Sequence, residues 1–339
     1  AGTSNSPDLG TSGTQQPNFA YSTEGDALLV KFNPDNGSRI WATYYGRVWI
    51  DIGKSCAIDP WGFIYMAGES ETVGTLGGSD TIAYDGFQMQ MNSLKNGFLA
   101  KFDADGSREW GTYYGGYNPY SVGFCTDVAT DPFGNVVVFG ACGYNANDAD
   151  TYVSSGAHHE THGSTIQPPG TGGDAYVAKF DSAGVRLWGT YYGGASNENV
   201  WTGTIDSAGN IYVAGETLSD TGIYKAGHKA ELAGGLDAYL AKFTPSGELD
   251  WGTYYGGPEN DEIRSTVSDA FGHVFVIGMT RSTSQISFNG YQMDHGGGDY
   301  DAMMVGFDIS TGALVMGSYY GGSLNDQAFG CASDTDGAL

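Results

Sequence analysis

Positive charge is scarce in this chain. Only 14 lysines and arginines stand against 39 aspartates and glutamates in 339 residues, which gives a formal net charge of −25. Binding to nucleic acid or to an anionic membrane surface depends on basic patches that neutralise phosphate. We therefore expect neither nucleic acid nor membrane insertion, and we assign most of the acidic excess to solubility.

Long apolar runs and abundant cysteines are also missing. No apolar run approaches the ~20 residues that span a bilayer, and the opening residues lack a charged-then-apolar leader, as in a mature or trimmed product. Four cysteines are too few for a disulfide scaffold. With little lysine and much Gly, Ser, Thr, Asn and Tyr, the composition favours a secreted protein, extracellular or at the cell surface.

A seven-residue motif recurs along the chain. The sequence Trp-Gly-Thr-Tyr-Tyr-Gly-Gly, or a close variant, starts at Trp41, Trp110, Trp188, Trp251 and Met316, at spacings of 63 to 78 residues. Self-similarity at a near-constant period indicates stacked copies of one supersecondary unit. Five copies of about 68 residues account for the whole length, so we predict a single domain over residues 1–339.

Each copy is typical of four short strands. In the third copy, β-branched and aromatic runs are separated by the turns Asp206–Gly209 and Thr244–Gly247, the pattern of antiparallel hairpins. Four such strands repeated radially form the blades of a β-propeller. The predicted fold class is all-β, a five-bladed β-propeller of four-stranded antiparallel blades.

One blade is predicted to be shared between the two ends of the chain. Its inner strand is expected at 326–334 and its outer strands before residue 46, and such a shared blade removes a free sheet edge. The alternative is an excerpt of a longer array with more blades beyond both ends. The predicted blades are one, about 50–116; two, 120–194; three, 198–257; four, 261–322; and five, 1–46 plus 326–339.

The repeats resemble the bacterial SBBP family of β-propeller repeats. The resemblance rests on the Asp-x-x-Gly turn, on a third strand ending in Lys-Phe, as at Lys242-Phe243, and on the Trp-Gly-Thr-Tyr-Tyr-Gly-Gly motif. The fifth copy departs with Gly306-Phe307, and five units are found rather than the family's seven. The resemblance implies a secreted or surface-anchored bacterial protein, often part of a larger adhesin-like chain, but a fold does not fix an activity.

Carboxylates recur at one position of the repeat. The fifth residue after the glycine of each Tyr-Tyr-Gly is Asp51, Tyr120, Glu198, Asp261 or Asp326. We expect the four acids to surround one mouth of the central channel, where they could bind Ca²⁺ or supply the acid pair of a glycoside hydrolase. Repetition in nearly every copy favours a third interpretation, a structural hydrogen bond from each acid to the backbone of the adjacent blade.

Blade two breaks the repeat symmetry with a long insert, residues 143–173. It contains His158, His159, Glu160 and His162, a candidate Zn or Cu site or partner contact. The pattern lacks His-Glu-x-x-His spacing and the insert is rich in glycine and proline, which favours a solvated loop. Loops on a rigid scaffold are nevertheless common binding surfaces.

Cysteine pairing is predicted at one place only. The turn at Asp131–Gly134 sets residue 125 opposite about residue 140. Cys142 is therefore a neighbour of Cys125 on the same face of the hairpin, close enough for a disulfide. Cys56 and Cys331 occupy equivalent positions in different copies, and we expect buried thiols there.

Three tryptophans lie outside the repeated tryptophan position: Trp49, Trp61 and Trp201. An exposed indole at a rim suits stacking against a sugar. Packing between blades is the more common role of such a large side chain.

Three functions remain open. The sequence contains no complete Ser/His/Asp set, phosphate loop or dinucleotide fingerprint. High symmetry and acidity favour a non-enzymatic surface scaffold or adhesion module whose partner is an extracellular protein, a glycan or sister subunits. The alternatives are a carbohydrate-active enzyme that uses axial carboxylates and a structural subunit of an extracellular polymer. Ca²⁺ is the cofactor that the repeated acids suggest.

Overall fold

The structure, a computed structural model, describes most of the chain. The described residues are 1–20, 25–47, 49–72, 82–91, 93–116, 122–143, 152–163 and 173–339. Every named element within these ranges is a β-strand, which confirms the all-β class. The described ranges contain no helix of the length and apolarity that crossing a membrane requires.

The strands form five antiparallel sheets in chain order. The N-terminal sheet contains β1 (Gly2–Ser4), β2 (Asp26–Phe32) and β3 (Arg39–Tyr45). Blade one contains β4 (Asp51–Ile58), β5 (Ile64–Glu71), β6 (Lys95–Phe102) and β7 (Arg108–Tyr114). Blade two contains β8 (Gly123–Thr130), β9 (Val136–Gly143), β10 (Gly173–Phe180) and β11 (Arg186–Tyr192). Blade three contains β12 (Glu198–Ile205), β13 (Ile211–Thr217), β14 (Asp237–Phe243) and β15 (Leu249–Tyr255). Blade four contains β16 (Asp261–Ser268), β17 (His273–Thr280), β18 (Asp301–Asp308) and β19 (Leu314–Tyr320).

The chain divides into two compact units. One holds β1 to β9, the other holds β12 to β19, and the residues of β10 and β11 are divided between them. Within the first unit the inner strands β4 and β8 of neighbouring blades are in contact, and within the second unit β12 and β16 are. The strand that leads into the Asp-x-x-Gly turn is thus the one that meets the next blade's counterpart, as predicted for an inner strand.

The first turn of each blade is built by its aspartate. In blade one, Asp59 Oδ1 accepts the backbone N–H groups of Trp61 at 3.0 Å and Phe63 at 2.9 Å. Gly62 adopts φ +89°, a left-handed conformation that a side chain disfavours. The Asp-x-x-Gly motif therefore fixes a tight hairpin between the first two strands of the blade.

The repeated lysine and tryptophan join neighbouring blades. Lys31 Nζ and Trp41 Nε1 both donate to the carbonyl of Ala104 at 2.9 Å, in the β6–β7 turn of the next blade. Lys101 Nζ and Trp110 Nε1 donate in the same way to Ser182 O at 2.9 and 3.0 Å. These contacts explain why the lysine lies between apolar residues, and they support the structural role predicted for it.

The C-terminal segment differs from the prediction. Residues 326–334 form no strand. They lie along blade four instead, where Ala328 N donates to Gly278 O at 3.4 Å and Ser333 Oγ to Ser268 O at 3.2 Å. The Asp-x-x-Gly turn at Asp334 is nevertheless formed, with Gly337 N bonded to Asp334 O at 3.2 Å. A strand requires a neighbour that pairs its backbone along its length. The two backbone bonds to blade four, Asp326 N to Tyr300 O and Ala328 N to Gly278 O, do not provide that.

Candidate functional site

Two of the predicted channel-mouth acids begin inner strands and are held by hydrogen bonds. Glu198 accepts the N–H of Gly194 at 3.0 Å and the hydroxyl of Thr217 at 2.6 Å. Asp261 accepts the N–H of Gly257 at 2.7 Å. Both acids are fully buried, and each connects the end of the preceding blade to the inner strand of its own. The arrangement holds the link between blades together.

Asp51 and Asp326 repeat this contact. Asp51 is buried and accepts the N–H of Arg47 at 2.8 Å, and the half-buried Asp326 accepts that of Gly322 at 2.8 Å. In all four repeats the donor is the amide four residues before the acid. The bond therefore joins the end of one repeat to the start of the next.

Burial affects the protonation of Asp51, Glu198 and Asp261. Desolvation raises the pKa of Asp51 to about 7, that of Glu198 to about 7 and that of Asp261 to about 6, although hydrogen bonds to each carboxylate oppose the rise. Ca²⁺ prefers several ionised or carbonyl oxygens that converge on one point. Within the described part of the chain, no three His, Cys, Asp or Glu side chains come together in a group that could hold a metal ion.

A tyrosine replaces the acid in blade two. Tyr120 lies outside the described residues, and the strand register gives its position in the repeat to Gly123, which pairs with Cys142 as Glu198 pairs with Thr217. The hydroxyl of Tyr152 accepts the N–H of Gly116 at 3.2 Å, the bond that a carboxylate makes elsewhere. A Cβ at Gly123 would lie 1.9 Å from that hydroxyl, so glycine is required there.

His158 and His159 stack in the second unit, with ring centroids 4.2 Å apart. His158 also meets Tyr192 and Phe243 at centroid distances of 6.4 and 6.0 Å. His228 occupies the equivalent place in the next blade, against Tyr255 and Phe307. His158 thus fills an aromatic position of the repeat that packs one blade on the next.

Glu160 and His162 lie in different surroundings. Glu160 Oε1 accepts the N–H of Gly156 at 2.5 Å. His162 packs edge-on against Tyr191, and its Nε2 accepts the N–H of Asp174 at 3.1 Å. These bonds give the polar groups of the predicted loop site local partners. Residues 144–151 and 164–172 of the insert lie outside the described residues.

The disulfide suggested for Cys125 and Cys142 is not formed, and both residues carry thiols. The predicted register is confirmed, because Cys125 lies opposite Gly140 and Cys142 opposite Gly123. Cys125 Sγ instead lies 3.1 Å from the hydroxyl of Tyr176, which gives the thiol a polar partner. Cys56 and Cys331 are thiols too, but Cys56 is exposed and Cys331 half-buried.

A polar cluster on the inner strands of blades three and four departs from the repeat. Trp201 occupies a β-bulge of β12, and its ring faces the guanidinium of Arg264, 4.2 Å from the ring centroid. Arg264 forms an ion pair with Glu262. Glu216 lies beside Trp201, and its Oε1 accepts from Asn199 Nδ2 at 2.8 Å. The cluster combines a half-exposed indole with two carboxyls and one guanidinium.

The equivalent place in blade one is neutralised. Glu69 has the strand position of Glu216 and pairs with Lys54 at 3.5 Å and Lys95 at 3.0 Å. Burial raises the pKa of Glu216, while the Asn199 amide and the nearby indole oppose that rise. Sequence reasoning noticed Trp201 but missed Glu216. The signal was present in the aligned segments Gly68-Glu69-Ser70 and Gly215-Glu216-Thr217.

Comparisons with known proteins found only solved structures of low sequence identity. No family model and no curated protein matches the chain. A Bacteroides caccae protein of unknown function aligns with 11% identity and TM-score 0.36, covering 88% of this chain and 97% of that one. A quinohemoprotein alcohol dehydrogenase from Comamonas testosteroni aligns with 10% identity and TM-score 0.39, covering 89% and 58%. A Hadza microbial sialidase aligns with 9% identity and TM-score 0.43, covering 84% and 52%. The chain spans little more than half the length of the last two, and no residue role is carried over from any of them.

Proposed function

We propose that this chain is a non-enzymatic extracellular binding or adhesion module built on a five-bladed propeller that is closed by a blade shared between its ends. The supporting observation is the use made of the repeated acids. Each of the four predicted carboxylates accepts a backbone amide from the end of the preceding repeat or from the connection that follows it. Groups that hold the links between blades are not available for catalysis, and an all-β repeat scaffold then serves by presenting its surface.

Two apolar faces support closure. Phe32 is 58% exposed, although the phenylalanines at its position in the other repeats are buried: Phe102, Phe180, Phe243 and Phe307. Tyr320 is 69% exposed, although its counterparts are buried: Tyr45, Tyr114, Tyr192 and Tyr255. Phe32 belongs to the N-terminal sheet and Tyr320 to blade four. Large apolar faces whose counterparts are all covered require a cover of the same kind, and a shared blade supplies it.

A groove on blade four adds to this argument. It has a volume of about 350 Å³ and an almost wholly apolar lining that includes Ile277, Met304, Tyr319 and Tyr320. Tyr291, also in its wall, is 88% exposed. Its counterpart Phe87 in blade one packs against Tyr114 and the phenylalanine of the following blade. Closure would cover Tyr291 in the same manner.

The same faces suit the alternative of a structural subunit in an extracellular polymer. If the face that carries Phe32 covers the groove of another copy, the contact is heterologous and extends into a filament. Light scattering and electron microscopy of the purified chain distinguish the two arrangements. Closure predicts monomers at all concentrations, whereas the polymer predicts a mass that grows with concentration.

Phe32→Ser tests the closure itself. It should lower the melting temperature of the monomer, because it weakens an apolar contact that closure buries. Phe133→Ser is the matched control, since Phe133 is 66% exposed in the blade-two turn, and it should leave the melting temperature unchanged. If the two variants melt alike, closure through this face is wrong. If Phe32→Ser instead dissolves a filament, the polymer arrangement is correct and closure within one chain is wrong.

The carbohydrate-active enzyme remains the competing function, because Glu216 and Glu262 lie on neighbouring blades and interact electrostatically. Purified protein should show no release of reducing sugar from a panel of neutral and acidic polysaccharides. Hydrolysis that is lost in Glu262→Gln would overturn the non-enzymatic assignment.

A further inference from the structure

The equivalent positions of the repeat locate one asymmetric site. The bulged residue of the inner strand lies five residues before the turn aspartate in each of the four blades: Lys54, Thr126, Trp201 and Arg264. In blade one the bulge lysine pairs with the buried Glu69, and Lys95 adds a second cation. In blade three the bulge holds Trp201, and the position of Lys95 is taken by Leu236. Both cations that neutralise the blade-one glutamate are therefore replaced by apolar residues.

Glu216 is consequently left incompletely paired. The residue is 7% exposed, Oε1 takes the Asn199 amide at 2.8 Å, and Oε2 has no hydrogen bond of ordinary geometry within the described part of the chain. A buried acceptor without a donor costs free energy unless a ligand group or water supplies one. Trp201, which is 40% exposed, is next to it, and both its indole and the Arg264 guanidinium favour the charged form of Glu216.

The indole of Trp201 is covered by Arg264 on one face and is 40% exposed. Arg264 packs over the ring at 4.2 Å and is held by its pair with Glu262. A tryptophan fixed in this way offers a flat apolar platform with polar groups at its edge, among them a carboxylate that accepts and a guanidinium that donates. A pyranose has the matching surface, an apolar ring face surrounded by hydroxyls.

We propose that Trp201, with Glu216, Glu262 and Arg264, forms a subsite for a neutral sugar, whose ring stacks on the indole and whose hydroxyls bond to the flanking polar groups. This inference rests on the proposed function as a binding module and names its ligand class. Two carboxyls against one guanidinium, in a protein of net charge −25, disfavour uronate, sialate and sulfate groups. The Arg264 guanidinium already covers one face of the Trp201 indole, so a cationic ligand could stack only on the other face.

The experiment is a titration of the full chain with neutral probes, cellotetraose, maltotetraose and mannotetraose, followed by calorimetry and tryptophan fluorescence. At least one probe should bind, and Trp201→Ala should weaken it about tenfold or more, the loss expected for a stacking contact with its hydrogen bonds. Trp61→Ala is the matched control. Trp61 is also exposed but lies in the blade-one turn, and its removal should leave the affinity unchanged.

The other outcomes each decide the question. If no neutral probe binds, or if both tryptophan variants weaken binding equally, the subsite is wrong, while a protein-binding scaffold stands. If choline or an oligogalacturonate binds instead and depends on Trp201, the ligand class is wrong. If a probe binds and is hydrolysed, the subsite stands and the non-enzymatic function fails. The melting temperature of Trp201→Ala is checked alongside, and rescue of binding by Trp201→Tyr covers a variant that folds poorly.

Discussion

The turn glycines that face a tryptophan give the sharpest test of how the blades are joined. Gly184 closes the β10–β11 turn with φ +82°, and a Cβ added to it would lie 2.9 Å from the ring of Trp110. Gly37 closes the corresponding turn of the N-terminal sheet with φ +69°, and a Cβ there would meet nothing within 4 Å. Both positions need a left-handed backbone, but only at Gly184 would a side chain also clash with a neighbouring residue.

The two requirements carry separate costs. Alanine in a left-handed conformation costs about 1–2 kcal/mol, which Gly37→Ala and Gly184→Ala should share. Gly184→Ala adds an overpacking cost of about 1–3 kcal/mol, because the indole is held by its bond to Ser182 O and cannot easily yield. The unfolding entropy of a chain of this length is about 0.7 kcal/mol per degree, so the overpacking cost should lower the melting temperature by about 1–4 °C.

Urea unfolding followed by circular dichroism measures the difference directly. Gly184→Ala should be less stable than Gly37→Ala by the overpacking cost, and in a Trp110→Ala background that excess should disappear. Equal losses in the two single variants, or an excess that persists without the indole, would refute the claim that the tryptophan ring is what excludes a side chain at Gly184.

Three further predictions concern the repeated acids, the tyrosine of blade two and the thiols. The pKa of Asp261 is raised, so its carboxyl binds a proton more tightly in the folded chain than in the unfolded one, and the free energy of unfolding should fall as pH rises from about 4 through 7. Asp261→Asn should flatten this slope. A wild-type slope of opposite sign would contradict the assignment. Tyr152→Phe should destabilise the protein by about 1–2 kcal/mol in urea, since the amide of Gly116 loses its acceptor, and an unchanged midpoint would show that the hydroxyl does not replace an acid. A thiol reagent should modify the exposed Cys56 in the native protein but reach the buried Cys125, whose pKa is raised by burial to about 12, only after unfolding; rapid modification of both would show that blade two opens.

The repeat made the strands predictable. The predicted turns Asp206–Gly209 and Thr244–Gly247 each lie between two strands of blade three, because the same turn and aromatic residues mark each copy. Prediction failed where local spacing varied. Counting forward from Tyr-Tyr-Gly chose Tyr120, whereas counting back from the turn at Asp131 gives Gly123, the residue in register. A turn is a safer origin than a loop, since inserted residues accumulate in loops.

The histidine cluster illustrates a second limit. His158, His159 and His162 are close in sequence, and this closeness suggested a shared metal. The backbone follows the repeat, so His158 takes an aromatic packing position while His162 lies beside Asp174. Proximity in sequence alone does not bring all of these side chains to one point.

The cluster around Trp201 could not be found by spacing, because its members come from three strands. Trp201 is brought to Glu216 by the β12–β13 register and to Arg264 by the packing of β12 on β16. Only comparison of the copies with one another would have shown a glutamate whose cations are missing. Departures from the repeat, rather than the repeated residues, indicate where this scaffold was adapted.

If position 201 was adapted for binding, one substitution there should increase stability and abolish sugar binding. Trp201→Lys restores the blade-one arrangement, in which the bulge lysine lies 3.5 Å from its buried glutamate. The lysine should give Glu216 an ionic partner and increase the free energy of unfolding by up to about 1 kcal/mol, the gain of a partly exposed pair, while it removes the stacking platform. Urea unfolding should therefore show that the variant is more stable, and sugar titration should show that it no longer binds. This combination is expected where a functional residue is retained at a cost to the stability of the fold. If Trp201→Lys is less stable than Trp201→Ala, Glu216 does not need a cation, and the unpaired carboxyl would no longer indicate a site.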